Sequence, residues 1–360
     1  MASIRMPLAC LAALAGLALI LPLLVVAIPC VAFTALIHLI ARAFEPRFAP
    51  WNTLLEFEPT LGWKAKGSVR TYHLGDDVFF ASTDAEGWRG EGRLVDSDVA
   101  VFGDSFAWGY GIDDKHYFAN LVMPLRVKAF GTMGYNMVQA FLLMHQVSAQ
   151  LSDKLVIWFI FYGNDLYENL VPHMRQYRMP FVREIHDSEE WEIVTQHVSM
   201  HPWPAAQEIR NEGRFYYEKL AELCSATFLA KRAYAACTFL IRQGRDLCQA
   251  AGARLVVVGI PDIRQFSPEG VQHLQSLVSE SQTVDPDYPD RQIRYICQTL
   301  DVPFVPLKDH LTLHDHKQYD VHWNAKGHQR VATVIRRLYD EYAPLSNIVS
   351  EPATKMGKYR

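Results

Sequence analysis

Residues 154–165 read KLVIWFIFYGND. A strand with one wet face alternates apolar and polar residues, because successive side chains point to opposite faces. The unbroken apolar run from Leu155 to Phe161 therefore fits a strand covered on both faces, as in a parallel sheet. It stops at Gly163-Asn164-Asp165, residues suited to a turn. Four further runs share this texture: VAVFG (99–103), RVKAFG (126–131), RLVVVGI (254–260) and VPFVPL (302–307). Helical spacing fills the intervals, in YFANLVMPL (117–125), MVQAFLLMHQVSAQL (137–151), RQIRYICQTL (291–300) and HQRVATVIRRLYDEY (328–342). The β-α-β-α order predicts an α/β fold, an open three-layer arrangement around a parallel sheet. One interval is too long for a single crossover helix. Residues from about 165 to 250 are expected to form a lid or specificity insert.

The 360-residue chain is long enough for one large domain with additions, and its 50% hydrophobic content excludes a disordered protein. A net charge of −4 supplies no basic field for nucleic acid. From Met6 to Ala41 no residue carries a formal charge, and Arg5 and Arg42 bracket the run. As one helix it would reach roughly 54 Å, against about 30 Å of hydrocarbon. A single transmembrane anchor over 1–44 is the expectation, and a hairpin bent near Pro22–Pro29 is the alternative. A cleaved signal peptide fits less well, since its apolar core is usually only about 7–15 residues. With a short N-terminus inside, the body would face the periplasm or exterior; arginines on both flanks leave the orientation undetermined. Residues 45–96 read as a linker, FEPRFAPW, followed by a small β-containing annex that includes SVRTYHL and DVFFAST. The main domain spans 97–345 and a tail 346–360. Cys224, Cys237 and Cys248 fall in one helical pattern, roughly 16–20 Å apart, too far for disulfides. They read as core residues, and Cys297 as an unpaired one.

In open α/β sheets ligands bind beyond the carboxyl ends of the strands. The residues there are Gly103-Asp104-Ser105, Gly131-Thr132-Met133-Gly134 and Gly163-Asn164-Asp165, joined near the end of the chain by Asp320-Val321-His322. Each alone has a plain structural meaning: an Asp–Ser helix cap, a tight glycine turn, a loop tripeptide, a loop histidine before the N-cap Asn324. Together they supply what acyl transfer needs. A serine hydroxyl requires a base, the base requires a carboxylate to fix its tautomer, and the developing oxyanion requires donors. Ser105, His322 and Asp320 fill the first three roles; the N–H groups of Ser105 and Gly134 and the Asn164 amide fill the last. Asp104 reads as support for the turn. Trp108, Tyr110, Tyr135, Tyr162 and Tyr167 read equally well as a sugar-stacking wall or as core. His314, Asp315, His316, Asp320 and His322 are dense in ligand types but lack the spacing of a metal site, so no metal and no cofactor are expected.

The blocks GDSF (Ser105), AFGTMGYN (Gly134), YGND (Asn164) and YDVHWNAKGH (His322) resemble the SGNH, or GDSL-type, hydrolase superfamily over roughly residues 97–345. PTLGWKAKG and ASTDAEGWRG look like the lead-in of membrane-anchored bacterial members. The resemblance implies a three-layer α/β/α flavodoxin-like domain, a serine nucleophile, glycine and asparagine in the oxyanion hole, and an aspartate supporting the histidine. It further implies an O-acetyl or other O-acyl ester on a cell-envelope or secreted glycan as substrate, within an envelope-polysaccharide machinery. In the family the aspartate usually stands three residues before the histidine. Here that position is Tyr319, and the acid, Asp320, stands two before, a spacing shared by some polysaccharide-modifying relatives. The rival expectation is a non-catalytic assembly or binding protein using the same fold as a docking platform.

Overall fold

The computed structural model describes residues 25–37, 54–74, 78–174, 177–185, 190–200, 212–318 and 320–343. The chain divides into two units, residues 1–48 and 49–360. In the first, residues 25–37 are helical, with Val25, Val26, Ile28, Val31, Phe33, Leu36 and Ile37 exposed. Most of the expected anchor lies outside the described residues. Among the described residues no helix is long and apolar enough to cross a membrane.

The second unit opens with two antiparallel hairpins, β1 (Leu55–Glu58) with β2 (Gly62–Ala65) and β3 (Arg70–Leu74) with β4 (Val78–Ser82). The β3–β4 pair matches the two alternating runs of the annex. The β1–β2 pair, LEFE with GWKA, was not among the runs singled out in the annex. The main sheet follows, with β5 (Val99–Phe102), β6 (Val127–Phe130), β7 (Leu155–Phe161), β12 (Arg254–Ile260) and β13 (Phe304–Pro306). All its pairings are parallel, in the order β13-β12-β7-β5-β6. In sequence rank this is 2-1-3-4-5, the doubly wound order whose ligand crevice lies where the order reverses, between β5 and β7.

The two-sided burial read from Leu155–Phe161 is literal. Val156, Trp158 and Ile160 enter one core, with helices α3 (Met137–Gln146), α6 (Phe228–Ala250) and α8 (Tyr288–Thr299). Leu155, Ile157, Phe159 and Phe161 enter the other, with α2 (Phe118–Leu121) and α9 (Ala325–Tyr342). Each fully buried aliphatic or aromatic side chain is worth about 1.5–3 kcal/mol over exposure, so a polar residue on either face of β7 would be costly. Cys224, Cys237, Cys248 and Cys297 are all unpaired and buried in the first core. Burial pushes the Cys297 thiol up to about 12.

The long interval resolves into two parts. Residues 165–223 hold a one-turn helix α4 (Asp165–Glu168), the pairs β8 (His173–Met174) with β9 (Tyr177–Arg178) and β10 (Phe181–Glu184) with β11 (Trp191–Val194), and α5 (Glu212–Leu223). The 23-residue α6, capped by Thr227 Oγ1 accepting from Ala230 N at 3.0 Å, is the crossover helix into β12. The extra chain is thus shorter than expected, because α6 belongs to the sheet's own wrapping. Residues 262–275 add a short 3-10 turn and α7 (Pro268–Gln275), an element the sequence pattern did not reveal.

Candidate active site

Ser105 is the first residue of α1 (Ser105–Trp108), a one-turn helix after β5. Asp104 caps it, its Oδ1 accepting from Phe106 N at 2.9 Å. Its Oδ2 lies 3.5 Å from Ser105 Oγ. Burial of Asp104 raises its carboxyl to about 6. The closer partner of the serine is the imidazole: Ser105 Oγ and His322 Nε2 are 2.7 Å apart. On the other side of the ring, His322 Nδ1 stands 2.6 Å from Asp320 Oδ1. A carboxylate there keeps the proton on Nδ1 and leaves Nε2 free to accept from the serine. Burial alone would raise Asp320, but the hydrogen bond and charge of His322 outweigh it and hold the carboxyl at about 2. The two-residue spacing is therefore sufficient, with Asp320 Oδ1 also accepting the backbone N–H of His322 at 3.2 Å.

The histidine loop is fixed from both ends. Lys317 N donates to His322 O at 2.9 Å, and Asn324 caps α9 while its Nδ2 donates to the carbonyls of His314 and His316. The imidazole sits between the rings of Phe106, 4.8 Å away, and Tyr110, 5.0 Å away. His328, at the start of the helical run 328–342, lies buried on α9 and stacks on Phe118; burial drives its pKa well below that of a free imidazole. Among the described residues no cluster of metal-ligating type is assembled. Asp315 instead accepts from Thr312 and pairs with Arg330, and His316 Nδ1 faces Thr312 O.

A cleft of about 360 Å³ opens over the serine, lined by Ser105, Gly134, Asn164 and His322 together with Phe161, Met174, Leu220 and Val321. Gly134 has φ +72°, a conformation that disfavours a side chain. Gly131 is required for a different reason, since a Cβ there would lie 2.6 Å from the carbonyl oxygens of Gly103 and Asp104. Its absence lets the tips of β5 and β6 meet. The structure thus brings together all five residues singled out in the sequence: Ser105, Gly134, Asn164, Asp320 and His322.

Several residues at the site were not anticipated. Asn164 Nδ2 donates to Glu168 Oε2 at 2.8 Å, and Glu168 Oε1 accepts from Tyr216 Oη at 2.6 Å. Tyr216, Tyr217 and Leu220, all on α5, wall the cleft, and buried Asp262 lines it too. Asn136 Nδ2 donates to Glu168 O and Asn169 Oδ1 accepts from Met137 N, so the second and third motif blocks are tied together. Asn136 ends the second block and Asn169 stands four residues beyond the third, a signal visible only once the blocks are known to be neighbours. Trp108, Tyr135 and Tyr162 are buried, which removes them from any sugar-stacking wall. Asp165 turns back to accept from Phe161 N at 2.9 Å, and burial followed by the charge of Asp104 drives its carboxyl well above the usual range.

No family model matches the chain, and no curated protein does. Among solved structures it is similar to a carbohydrate acetylesterase family member from Sinorhizobium meliloti, at 12% identity and a TM-score of 0.39 over 68% of this chain and 97% of that one. The inhibitor-bound M. smegmatis aryl esterase is similar at 10% identity and a TM-score of 0.39, over 68% and 98% of the two chains. A G-D-S-L family protein from Desulfitobacterium hafniense follows at 11% identity and 0.37, over 68% and 99%.

Proposed function

We propose that this chain is a serine esterase or acyl-ester transferase working through an acyl-enzyme. The observation that carries the reading is the unbroken Ser105–His322–Asp320 relay, 2.7 and 2.6 Å, at the floor of an open cleft. Ser105 Oγ attacks the ester carbonyl carbon as His322 Nε2 takes its proton, and Asp320 stabilises the imidazolium. The carbonyl oxygen, now negative, accepts from the N–H groups of Ser105 and Gly134 and from the Asn164 amide. His322 returns its proton to the leaving alcohol as the C–O bond breaks. Water or a sugar hydroxyl then attacks the acyl-enzyme with His322 as base, and Ser105 is regenerated with its proton.

An O-acetyl group on an envelope or secreted glycan is the substrate that the motif resemblance favours. The uncharged run of residues 6–41, with exposed apolar residues along the helical stretch 25–37, supports a membrane anchor that leaves the site on the periplasmic or outer face. A non-catalytic docking protein has no use for a relay with every hydrogen bond in place. Turnover of an activated acetate ester by the detergent-solubilised chain tests the reading. Wild type is expected to hydrolyse it and Ser105→Ala to lose at least a thousandfold; equal turnover in the two proteins contradicts the assignment.

A further inference from the structure

One peptide bond in the site is gripped from behind. The indole Nε1 of Trp63, on β2, donates to Met133 O at 3.0 Å. That carbonyl belongs to the same planar unit as the N–H of Gly134. In a trans peptide the C=O and N–H vectors point in opposite directions. A donor seated on the carbonyl therefore aims the N–H the other way, toward the cleft that Gly134 lines. Two further bonds fasten the same corner: Tyr135 Oη donates to Trp63 O at 2.7 Å, and Gln139 Nε2 to Leu61 O at 2.6 Å. Trp63, Met133, Tyr135 and Gln139 are all buried, so none of these bonds competes with water. Glycine at 134 relaxes the backbone, and something outside the turn must then restrict it.

We infer that Trp63 is a positioning residue for the reaction: its indole N–H locks the Met133–Gly134 peptide and polarises it, so that the Gly134 N–H meets the developing oxyanion already aligned. A hydrogen bond accepted at one end of a peptide strengthens the donor at the other. The annex hairpin β1–β2 is on this account a working part of the oxyanion hole. The inference rests on the serine-esterase reading and adds to it a residue some 40 positions upstream of the nucleophile in the sequence.

The test is Trp63→Phe, which keeps an aromatic ring and removes the donor, assayed with an activated acetate ester and with a trifluoromethyl ketone that forms a tetrahedral adduct on the serine. The expected result is a fall in kcat of about tenfold, less than the 10²–10³ for outright loss of a donor. KM is expected to stay within about twofold and the ketone inhibition constant to rise in step with kcat, because only the transition state uses the hole fully. Replacing Trp63 by 3-benzothienylalanine, which keeps the indole shape without the N–H, gives the same pattern should phenylalanine disturb folding. Wild-type kcat and ketone affinity in either protein overturn the inference. So does a kcat loss with unchanged ketone affinity, the sign of a merely structural defect. Failure of the parent reading is separately visible, as a Ser105→Ala protein that keeps wild-type turnover.

Discussion

At the residue scale, two acids compete for the serine's histidine, and the geometry separates them. Asp104 is adjacent to Ser105 in the chain but spends its Oδ1 on the cap of α1, and burial brings it to about 6. Asp320 bonds the imidazole at 2.6 Å and stays near 2. Asp320→Asn is expected to cut kcat by about 10⁴, as the wrong imidazole tautomer becomes favoured. Asp104→Asn keeps a cap acceptor and is expected to retain more than a tenth of the activity. Steady-state kinetics on the two proteins distinguishes the roles. The pH response of stability also differs in sign. Asp320, lowered on folding, contributes stability that is present above about pH 4 and lost as the pH falls toward 2. Asp104, raised on folding, favours the native state at low pH and loses that contribution as the pH climbs from about 4 through 6. Thermal melts should therefore show Asp104→Asn gaining relative stability above pH 6, and Asp320→Asn a flatter acid limb. No gain for Asp104→Asn at pH 8 contradicts the burial argument.

At the element scale, the sheet strands were legible and most of what decorates the site was not. Strands β5, β6, β7, β12 and β13 all fall inside the apolar runs, because burial on both faces leaves an unbroken signature. The serine, glycine, asparagine and histidine were legible because strand tips and turn residues mark them. Glu168, Tyr216 and Trp63 were not. Trp63 and Tyr216 act through contacts far apart in the sequence, Trp63 with Met133 70 residues on and Tyr216 with Glu168 48 residues back, and no local pattern encodes such a pairing; Glu168 is only four residues from Asn164, but its role shows only once Tyr216 is in place. The insert's contribution is concrete in α5: Tyr216 reaches Glu168, which holds one N–H of the Asn164 amide and leaves the other for substrate. Tyr216→Phe is expected to lower kcat about threefold to tenfold with little change in KM, since it loosens a donor used mainly in the transition state. Leu220→Trp fills the cleft wall instead. It should raise KM for longer acyl esters while sparing acetate. A series of p-nitrophenyl esters of increasing chain length separates the two effects, and equal changes at every chain length contradict a seat for the acyl chain against Leu220.

At the scale of the whole molecule, two apolar cores clamp one parallel sheet, and the chain's doubly wound order puts β5 and β7 side by side at the reversal. That adjacency is why Ser105 and Asn164, 59 residues apart, face one cleft, while the loop leading into α9 brings His322 to the same cleft. A third small cluster, with Leu54, Ala65, Phe79, Ala81, Trp108 and Met133, welds the annex to α1 and to the turn after β6. All three clusters lie within residues 49–360. A protein spanning 49–360 is therefore expected to fold and to keep ester turnover within about threefold, whereas removal of residues up to 96 should abolish both. The two truncations are compared by thermal melting and by esterase assay. Loss of folding in the 49–360 protein contradicts the division into independent units.

The central claim, that Ser105 carries an acyl group in turn with a histidine-bound proton, is most directly tested by intact-protein mass spectrometry after brief acid quench of the reaction with an activated acetate ester. The account predicts an added acetyl mass of about 42 Da that maps to the peptide containing Ser105, builds up within the first turnover and is absent in Ser105→Ala. An adduct of the same mass on another residue that turns over at the steady-state rate, or turnover undiminished in Ser105→Ala, would contradict it.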